Sequence, residues 1–409
     1  MKILLFPAYF YPEQMASSHL DDDRYCAFAN KSIEMECYTP MPTRGINNII
    51  RENYKKRKLE RMYENRMKVI RFSMFREPKN SMFRALRYIF CWVIQFWKGL
   101  FVNDVDLIYI VSTPPIQGVL GALLKKIKKI PFIYNLQDIF PDSLVGTGLA
   151  KKGGLLWKIG RVIEDFTYRN ADKIIVISED FKRNIIAKGV STEKIEVIYN
   201  WVDEEAVIPI PYEENYLFEE FHIDRNKFNV VYAGNLGNAQ NVSIIIEAAI
   251  HFKEYSDLQF IIFGSGGMKE ELMDFVKSNQ LNNVLFFPLQ PYDKVAYVYG
   301  IGNVCVVSCK KGLGGSAMPS KTWNIMSSGR AVLANFDEGE LEMILKKNKC
   351  GLFSKAGDSN DFFRAIETLY KNPSFCDSLG RNGREFILNN LTKEVGVRKY
   401  VDIIMSYER

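Results

Sequence analysis

Leu258-Gln259-Phe260-Ile261-Ile262-Phe263-Gly264-Ser265-Gly266-Gly267 is the stretch whose reading decides the fold. The run Leu258–Phe263 carries no charge and is rich in Ile and Phe, the pattern of a strand covered on both faces. The glycines then turn the chain into a helical pattern that starts near Lys269. This strand–glycine–helix order is that of a dinucleotide-type α/β unit, although G-x-G-x-x-G itself is not satisfied.

Working outward, the same alternation recurs on both sides. Strand-like runs in the second half are Asn229–Ala233, Val284–Pro288, Asn303–Val307 and Ala331–Ala334. Helical patterns at Val242–Tyr255, Lys269–Asn279, Lys321–Ser328, Ser359–Lys371 and Pro373–Asn390 separate them. The first half offers strands at Lys2–Phe6, Met35–Thr39, Lys68–Phe72, Leu107–Val111, Phe132–Leu136, Lys173–Ile177 and Ile195–Ile198. Helical patterns there include Gly118–Lys128 and Leu155–Arg169. Strands alternating with helices predict parallel sheets covered on both faces, here two Rossmann-like domains in tandem. The expected divisions are residues 1–200, residues 201–390 and a terminal helix over 391–409 that finishes the second domain or crosses back to the first. Pro209 and Pro211 mark a hinge near Tyr199–Pro211. Ligands of such sheets are expected outside the carboxyl ends of the strands, in a cleft between the domains.

A chain of 409 residues, 47% apolar and 25% charged, has enough material for a core in each half. Its seven Cys form no C-x-x-C pair, and with three His no zinc cluster follows from spacing. Scattered cysteines in odd number suit a reducing, cytoplasmic compartment. The start, Met1–Pro7, has too short an apolar run for a signal peptide and reads as a first strand. Residues 1–200 hold 32 Lys and Arg against 21 Asp and Glu, and residues 201–409 hold 22 against 27. The first half is therefore the one to meet an anionic partner.

Lys310-Lys311-Gly312-Leu313-Gly314-Gly315-Ser316-Ala317-Met318-Pro319-Ser320-Lys321 is the candidate phosphate site. A glycine loop frees backbone N–H groups for an anion and feeds a helix whose first turn carries unpaired donors. Ser320 would cap that helix, and Lys321 would add a mobile cation. An ordinary loop before a capped helix is the competing reading. Two more strand-end turns, Gly234-Asn235-Leu236-Gly237-Asn238-Ala239-Gln240 and Gly264-Ser265-Gly266, would converge on the same place.

In order and spacing, several short motifs resemble the retaining glycosyltransferases of group one, family four, which have the GT-B fold. They are Tyr11-Pro12-Glu13, Gln137-Asp138-Ile139-Phe140-Pro141-Asp142, Asn200-Trp201-Val202-Asp203, Ala233-Gly234-Asn235-Leu236-Gly237, Gly264-Ser265-Gly266 and Pro319-Ser320-Lys321. The resemblance is strongest to the subset that builds bacterial capsule and O-antigen repeats, fucosamine-type transferases included. It implies a donor diphosphate held at Gly234 and Lys321, a nucleotide framed by Gly264, Ser265 and Gly266, and a base met by Pro288, Leu289 and Gln290. The family's Arg and Lys fall here on Asn235 and Gln240, and its paired glutamates on Ser316 and Asn324. Lys321 is left to carry the phosphate charge, with Lys310 or Lys311 beside it. The glycines usual after Pro12-Glu13 are Met15-Ala16.

The resemblance further implies transfer from a UDP- or GDP-linked sugar to a lipid-linked saccharide acceptor, with no metal and no other cofactor. Lys321 would offset the charge of the leaving diphosphate. Asp138, just after the strand Phe132–Leu136, is the candidate acceptor-side acid/base, and Glu13 is placed similarly after the first strand. Asp21-Asp22-Asp23 imitates a metal motif but sits at the start of a helix, where carboxylates complement the dipole. Residues 51–87 carry thirteen Arg and Lys against four Glu, next to the aromatic, apolar stretch Met82–Phe101. That pairing fits peripheral attachment to the inner face of the cell membrane through anionic lipid. Nucleic acid is not expected, since no stacking motif or reader fold is present. A GT-B-fold sugar-nucleotide epimerase and a non-catalytic nucleotide-sugar-binding scaffold are the competing functions.

Overall fold

The computed structural model describes every residue except 14–17, 79, 147, 149, 315–317 and 409. The chain divides into two compact units. Unit 1 comprises Met1–Tyr199 with Gly396–Arg409, and unit 2 comprises Asn200–Val395.

Unit 1 starts with β1 (Lys2–Leu5), α1 (Ser18–Asn30), β2 (Glu34–Pro40) and α2 (Asn48–Lys56). β3 (Leu59–Met62), β4 (Met67–Phe72), α3 (Ser81–Leu100) and β5 (Leu107–Val111) follow. Next come α4 (Gln117–Lys128), β6 (Phe132–Leu136), α5 (Asp142–Gly146) and α6 (Leu155–Asn170). β7 (Lys173–Val176), α7 (Glu179–Ala187) and β8 (Ile195–Val197) complete the continuous part. The sheet has the order β3-β4-β2-β1-β5-β6-β7-β8. All its pairs are parallel except β3 against β4. β3 was not expected: its sequence, LERM, lies in the basic segment and alternates exposed with half-buried residues, as an edge strand can. β5 reads as a continuous apolar run and β6 as one broken only at the buried Asn135, since both strands are covered. α4 lies over them, between α3 and α6.

In unit 2, α8 (Leu217–Glu220), β9 (Phe228–Asn235), α9 (Ser243–His251), β10 (Leu258–Ser265) and α10 (Lys269–Ser278) form the first part. β11 (Val284–Phe287), α11 (Val295–Gly300), β12 (Val304–Ser308) and α12 (Lys321–Ser327) form the middle. β13 (Ala331–Phe336), α13 (Glu340–Asn348), β14 (Gly351–Lys355), α14 (Ser359–Lys371) and α15 (Pro373–Asn390) close it. The order is β11-β10-β9-β12-β13-β14, parallel throughout. Two Rossmann-like sheets are thus present, as the alternation of strand and helix predicts. The order reverses between β9 and β12, so their carboxyl ends flank the crevice of this sheet. Phe260, Ile262, Val230 and Leu333, all fully buried, belong to a core that α9 and α14 cover. Asp358 caps α14 by accepting from the Asp361 N–H at 2.9 Å.

α16 (Lys393–Met405) ends the chain, and from Gly396 onward it belongs to unit 1. Tyr400 on it is fully buried, donates to Asn135 Oδ1 at 3.2 Å and stacks under the Arg24 guanidinium, 5.0 Å from the ring centre.

Candidate active site

In unit 2, β9 and β10 run in register up to Gly234 opposite Gly264 and Asn235 opposite Ser265. Their loops are laced together: the Leu236 N–H donates to Ser265 O at 2.8 Å and the Met268 N–H to Leu236 O at 2.9 Å. A side chain at Gly264 would bring its Cβ within 2.8 Å of Gly234 O, so glycine is what lets the two backbones approach. Gly266 closes the turn at φ +152°. On the other flank, Ser308 at the end of β12 donates to Gln240 O at 2.6 Å, and the Lys310 N–H donates to Ala239 O at 2.9 Å. The turn after β9 is therefore held from both neighbouring strands.

Lys321 reaches this turn from the first position of α12. Its Nζ lies 3.9 Å from the Tyr232 ring centre, and a Cβ on Gly234 would stand 2.7 Å from it. Gly234, at φ +146°, thus leaves room for the ammonium. The Lys321 stem is partly exposed, but Nζ is covered and has no hydrogen-bond partner among the described residues. Burial pushes its pKa down to about 7. A cationic donor with no hydrogen-bond partner among the described residues, beside two glycine turns, can receive an anion, and an anion would restore its charge.

The rest of the expected phosphate cradle is corrected by the structure. The Gly312 N–H donates to Asp337 Oδ2 at 2.8 Å, and the Gly314 N–H donates to the same oxygen at 2.8 Å. The glycine loop thus embraces an internal carboxylate at the end of β13 with amides that the sequence offers to phosphate. Ser320 does not cap α12: its backbone is helical and its side chain makes no cap bond. The first amides of that helix are also engaged, Thr322 N–H with Pro319 O at 2.9 Å and Trp323 N–H with Ser320 O at 3.1 Å. Gly315 and Ser316 lie outside the described residues. What the helix start contributes here is the Lys321 side chain. Asp337 and Tyr232 were missed in the sequence because one follows and the other lies within an ordinary apolar strand.

The remaining expected residues of this unit fall as follows. Asn235 Nδ2 donates to Gln240 Oε1 at 3.2 Å, so the two residues standing in for cations form a neutral amide pair. Lys310 Nζ lies 3.4 Å from Asn238 Oδ1 on the same turn. Ser265 is exposed at the end of β10, Asn324 is half-buried on α12, and Leu289 is 48% exposed beyond β11.

Asp138 belongs to unit 1 and follows β6. The residue is exposed, yet desolvation by surrounding protein raises its carboxyl pKa, against hydrogen bonds from Ser143 and the Ile139 N–H that lower it. The segment leading to it is braced: Asn135 Nδ2 donates to Tyr109 Oη at 2.8 Å, and the Gln137 N–H donates to Ser112 Oγ at 3.0 Å. Beyond it, Lys188 bridges Asp142 at 2.8 Å and Glu164 at 2.9 Å. Glu13 is placed differently from Asp138. It is 3% exposed and accepts from the N–H groups of Phe10, Thr43 and Arg44 at 3.2, 2.6 and 2.8 Å. Its carboxylate is occupied with organising two loops. Asp21, Asp22 and Asp23 lie in α1, and among the described residues no three His, Cys, Asp or Glu side chains are grouped to hold a metal.

The apolar stretch of unit 1 forms α3, where Phe83, Leu86, Ile89, Phe90, Val93 and Trp97 are between 39% and 57% exposed. On α6, Leu155, Leu156, Ile159 and Val162 are exposed as well. Among the described residues no helix is long and apolar enough to cross a membrane.

Comparison with known proteins accounts for both units. Residues 50–206 match the Glycosyltransferase Family 4 model, and residues 214–386 match the model of the Glycosyl transferases group 1. A protein of Escherichia coli K12, WcaI, whose name assigns it to glycosyl transfer in colanic acid biosynthesis, is 30% identical over 210 residues. That alignment spans 51% of this chain and 51% of the relative, about half the length of each. A Campylobacter jejuni protein is 21% identical over 52% of this chain and 54% of its own. It is named N-acetylgalactosamine-N,N'-diacetylbacillosaminyl-diphospho-undecaprenol 4-alpha-N-acetylgalactosaminyltransferase. Anabaena Alr3699/HepE, solved with UDP-glucose, superposes with a TM-score of 0.72 at 17% identity, covering 99% of this chain and 100% of the other. The last likeness shows the fold.

Proposed function

We propose, for a chain that belongs to the group 1, family 4-type GT-B glycosyltransferases, the retaining transfer of a sugar from a UDP- or GDP-linked donor to a lipid-linked saccharide. In this reading the product is a bacterial surface polysaccharide of the capsule or O-antigen kind. One observation carries it: the Lys321 ammonium, covered by protein and without a hydrogen-bond partner among the described residues, beside the turns at Gly234 and Gly264. The colanic acid name of one relative and the diphospho-undecaprenol in the name of another support the acceptor class.

The chemistry follows from charge. As the bond from the anomeric carbon to the β-phosphate oxygen breaks, negative charge gathers on the leaving diphosphate. Lys321 offsets it in a site with little water, where a fixed cation acts most strongly. The acceptor hydroxyl forms its new bond on the face that the leaving group quits, and its proton must depart. We assign Asp138 to orient that hydroxyl and receive the proton, because its pKa is raised while the residue stays exposed. Glu13 acts at one remove, by holding Thr43 and Arg44 in place.

Attachment to the inner face of the cell membrane is part of the same proposal. The exposed apolar face of α3 runs beside Arg84 and Lys98, a combination suited to an anionic lipid surface. The test is incubation with a panel of UDP- and GDP-sugars, with and without a membrane extract as acceptor source. Sugar should move to lipid only when both are present, and Asp138→Asn should slow it about 100-fold without weakening donor binding. Conversion of the sugar nucleotide without acceptor, or transfer by the variant at the wild-type rate, would count against the respective assignment.

A further inference from the structure

Three loops of unit 1 leave the carboxyl ends of β1, β2 and β4 and meet the first half of α3. Tyr9 lies on the first, Thr43 and Arg44 on the second, and Phe75 on the third. Arg87 projects from α3 among them and is fully buried. Its Nη2 donates to Thr43 Oγ1 at 3.2 Å and its Nε to Phe75 O at 3.4 Å, with the guanidinium carbon 5.4 Å from the Tyr9 ring centre. Its Nη1, also buried, has no hydrogen-bond partner among the described residues. The exposed Arg44 lies over the same ring at 5.4 Å, and the Tyr9 and Tyr88 hydroxyls are 2.9 Å apart.

Positive charge is in excess here. Arg51, 9% exposed, holds Pro42 O at 2.9 Å and Met74 O at 2.8 Å. Its pKa is lowered by burial first and then by repulsion from Arg76 and Arg87. Three carboxylates stand close by: Glu52 and Glu13 act on Arg51, and Glu77, whose Oε2 is buried without a hydrogen-bond partner among the described residues, acts on Tyr9. Glu13 is engaged with backbone amides, and Glu77 lies 3.7 Å from Arg84. A buried guanidinium N–H with no acceptor among the described residues, ringed by further arginines and two phenol groups, is built to take an anion with several oxygens. The apolar face of α3, with Leu86 and Phe90 next to Arg87, begins at the same place.

We propose that Arg87 and Arg44, with the Tyr9–Tyr88 pair, bind the phosphate that joins the acceptor saccharide to its lipid, and that the α3 face beside them takes the start of the lipid chain. The identity of the anion's carrier rests on the transferase reading. The cluster's preference for a lipid-borne phosphate does not.

Farnesyl diphosphate and farnesol serve as probes, since they share a tail and differ in the anion. Both are titrated calorimetrically against the full chain, wild type, Arg87→Gln and Lys321→Gln. Farnesyl diphosphate should bind the wild type at least about tenfold more tightly than farnesol. Arg87→Gln should remove most of that advantage, Arg87→Lys should keep part of it, and Lys321→Gln should leave it intact. Equal binding of the two probes, an advantage untouched by Arg87→Gln, or one abolished by Lys321→Gln would overturn the proposal. A loss of binding to plain phosphatidylglycerol vesicles as large as the loss for farnesyl diphosphate would assign the cluster to membrane headgroups instead, which also overturns it. If Arg87→Gln does not fold, Arg44→Gln on the exposed side of the same ring decides by the same readings. Intact farnesyl diphosphate binding in a chain that binds neither UDP nor GDP would remove the transferase reading and leave the cluster standing.

Discussion

The two units build the same kind of open parallel sheet and arm its carboxyl edge by different means. In unit 2 the edge is made of glycine turns with one ammonium laid over them. In unit 1 it is made of larger side chains, with arginines buried among tyrosines and backbone carbonyls. The difference teaches something about charge. A lysine stripped of water titrates close to neutrality, as Lys321 does at about 7, whereas a guanidinium ordinarily stays charged across that range. Cationic character is conditional in one unit and permanent in the other. Sheet architecture alone does not decide this, since function resides in the loops grafted on it.

The largest expected effect is at the conditional charge. Lys321→Met should weaken UDP-glucose binding roughly 100-fold by calorimetry, because it removes the covered ammonium beside Gly234. The same substitution should stabilise the protein without ligand. The folded-state pKa of Lys321 lies below the unfolded value near 10.4, so the cost of burying its charge is fully present below about pH 7 and fades as pH rises toward that value. The variant's unfolding midpoint should therefore exceed the wild type's by more at pH 6 than at pH 9. A midpoint lower than wild type at both would break the comparison.

Next in size is the pH dependence of donor binding. UDP-glucose carries a diphosphate diester that does not titrate near neutrality, so any change reports the protein. Affinity should be flat below about pH 7 and fall by up to about tenfold per unit above it, as the neutral amine must regain a proton to hold the anion. Flat affinity up to pH 9 would mean that Lys321 does not meet the phosphate.

How much of this was legible beforehand varies residue by residue. Leu107–Val111 and Phe132–Leu136 were read to the residue because doubly covered strands leave mainly apolar runs, broken here only at Asn135, whose amide is paired inside. β14 was missed since Gly351–Lys355 mixes glycine, serine and lysine on an outer strand, where one edge needs no cover. Lys321 and Gly234 were legible as types, but their contact was not, being a matter of one side chain folding back. The glycine loop misled for a physical reason: amides that suit a phosphate suit the Asp337 carboxylate equally well. Asp337→Ala should thus cost about 1–3 kcal/mol of stability in urea unfolding, since it leaves two amides unpaired. No loss would mean that water serves them as well.

The smallest effect on activity is expected in unit 1. Tyr400→Phe removes the 3.2 Å hydrogen bond to Asn135 and the hydroxyl's hydrogen bond with Arg24 from a fully buried ring, and should cost about 1–3 kcal/mol. Transfer activity should fall little, provided the Arg24 stack under the ring keeps the Asn135–Gln137 segment in place.

That ring sits on a helix whose position has a consequence for biosynthesis. Unit 1 receives its last element, Gly396 onward, only after all of Asn200–Val395 has left the ribosome. Until then Arg24, Tyr109 and Asn135 lack the phenol that covers them, so the nascent amino-terminal portion waits, unfinished, while its neighbour is still being translated.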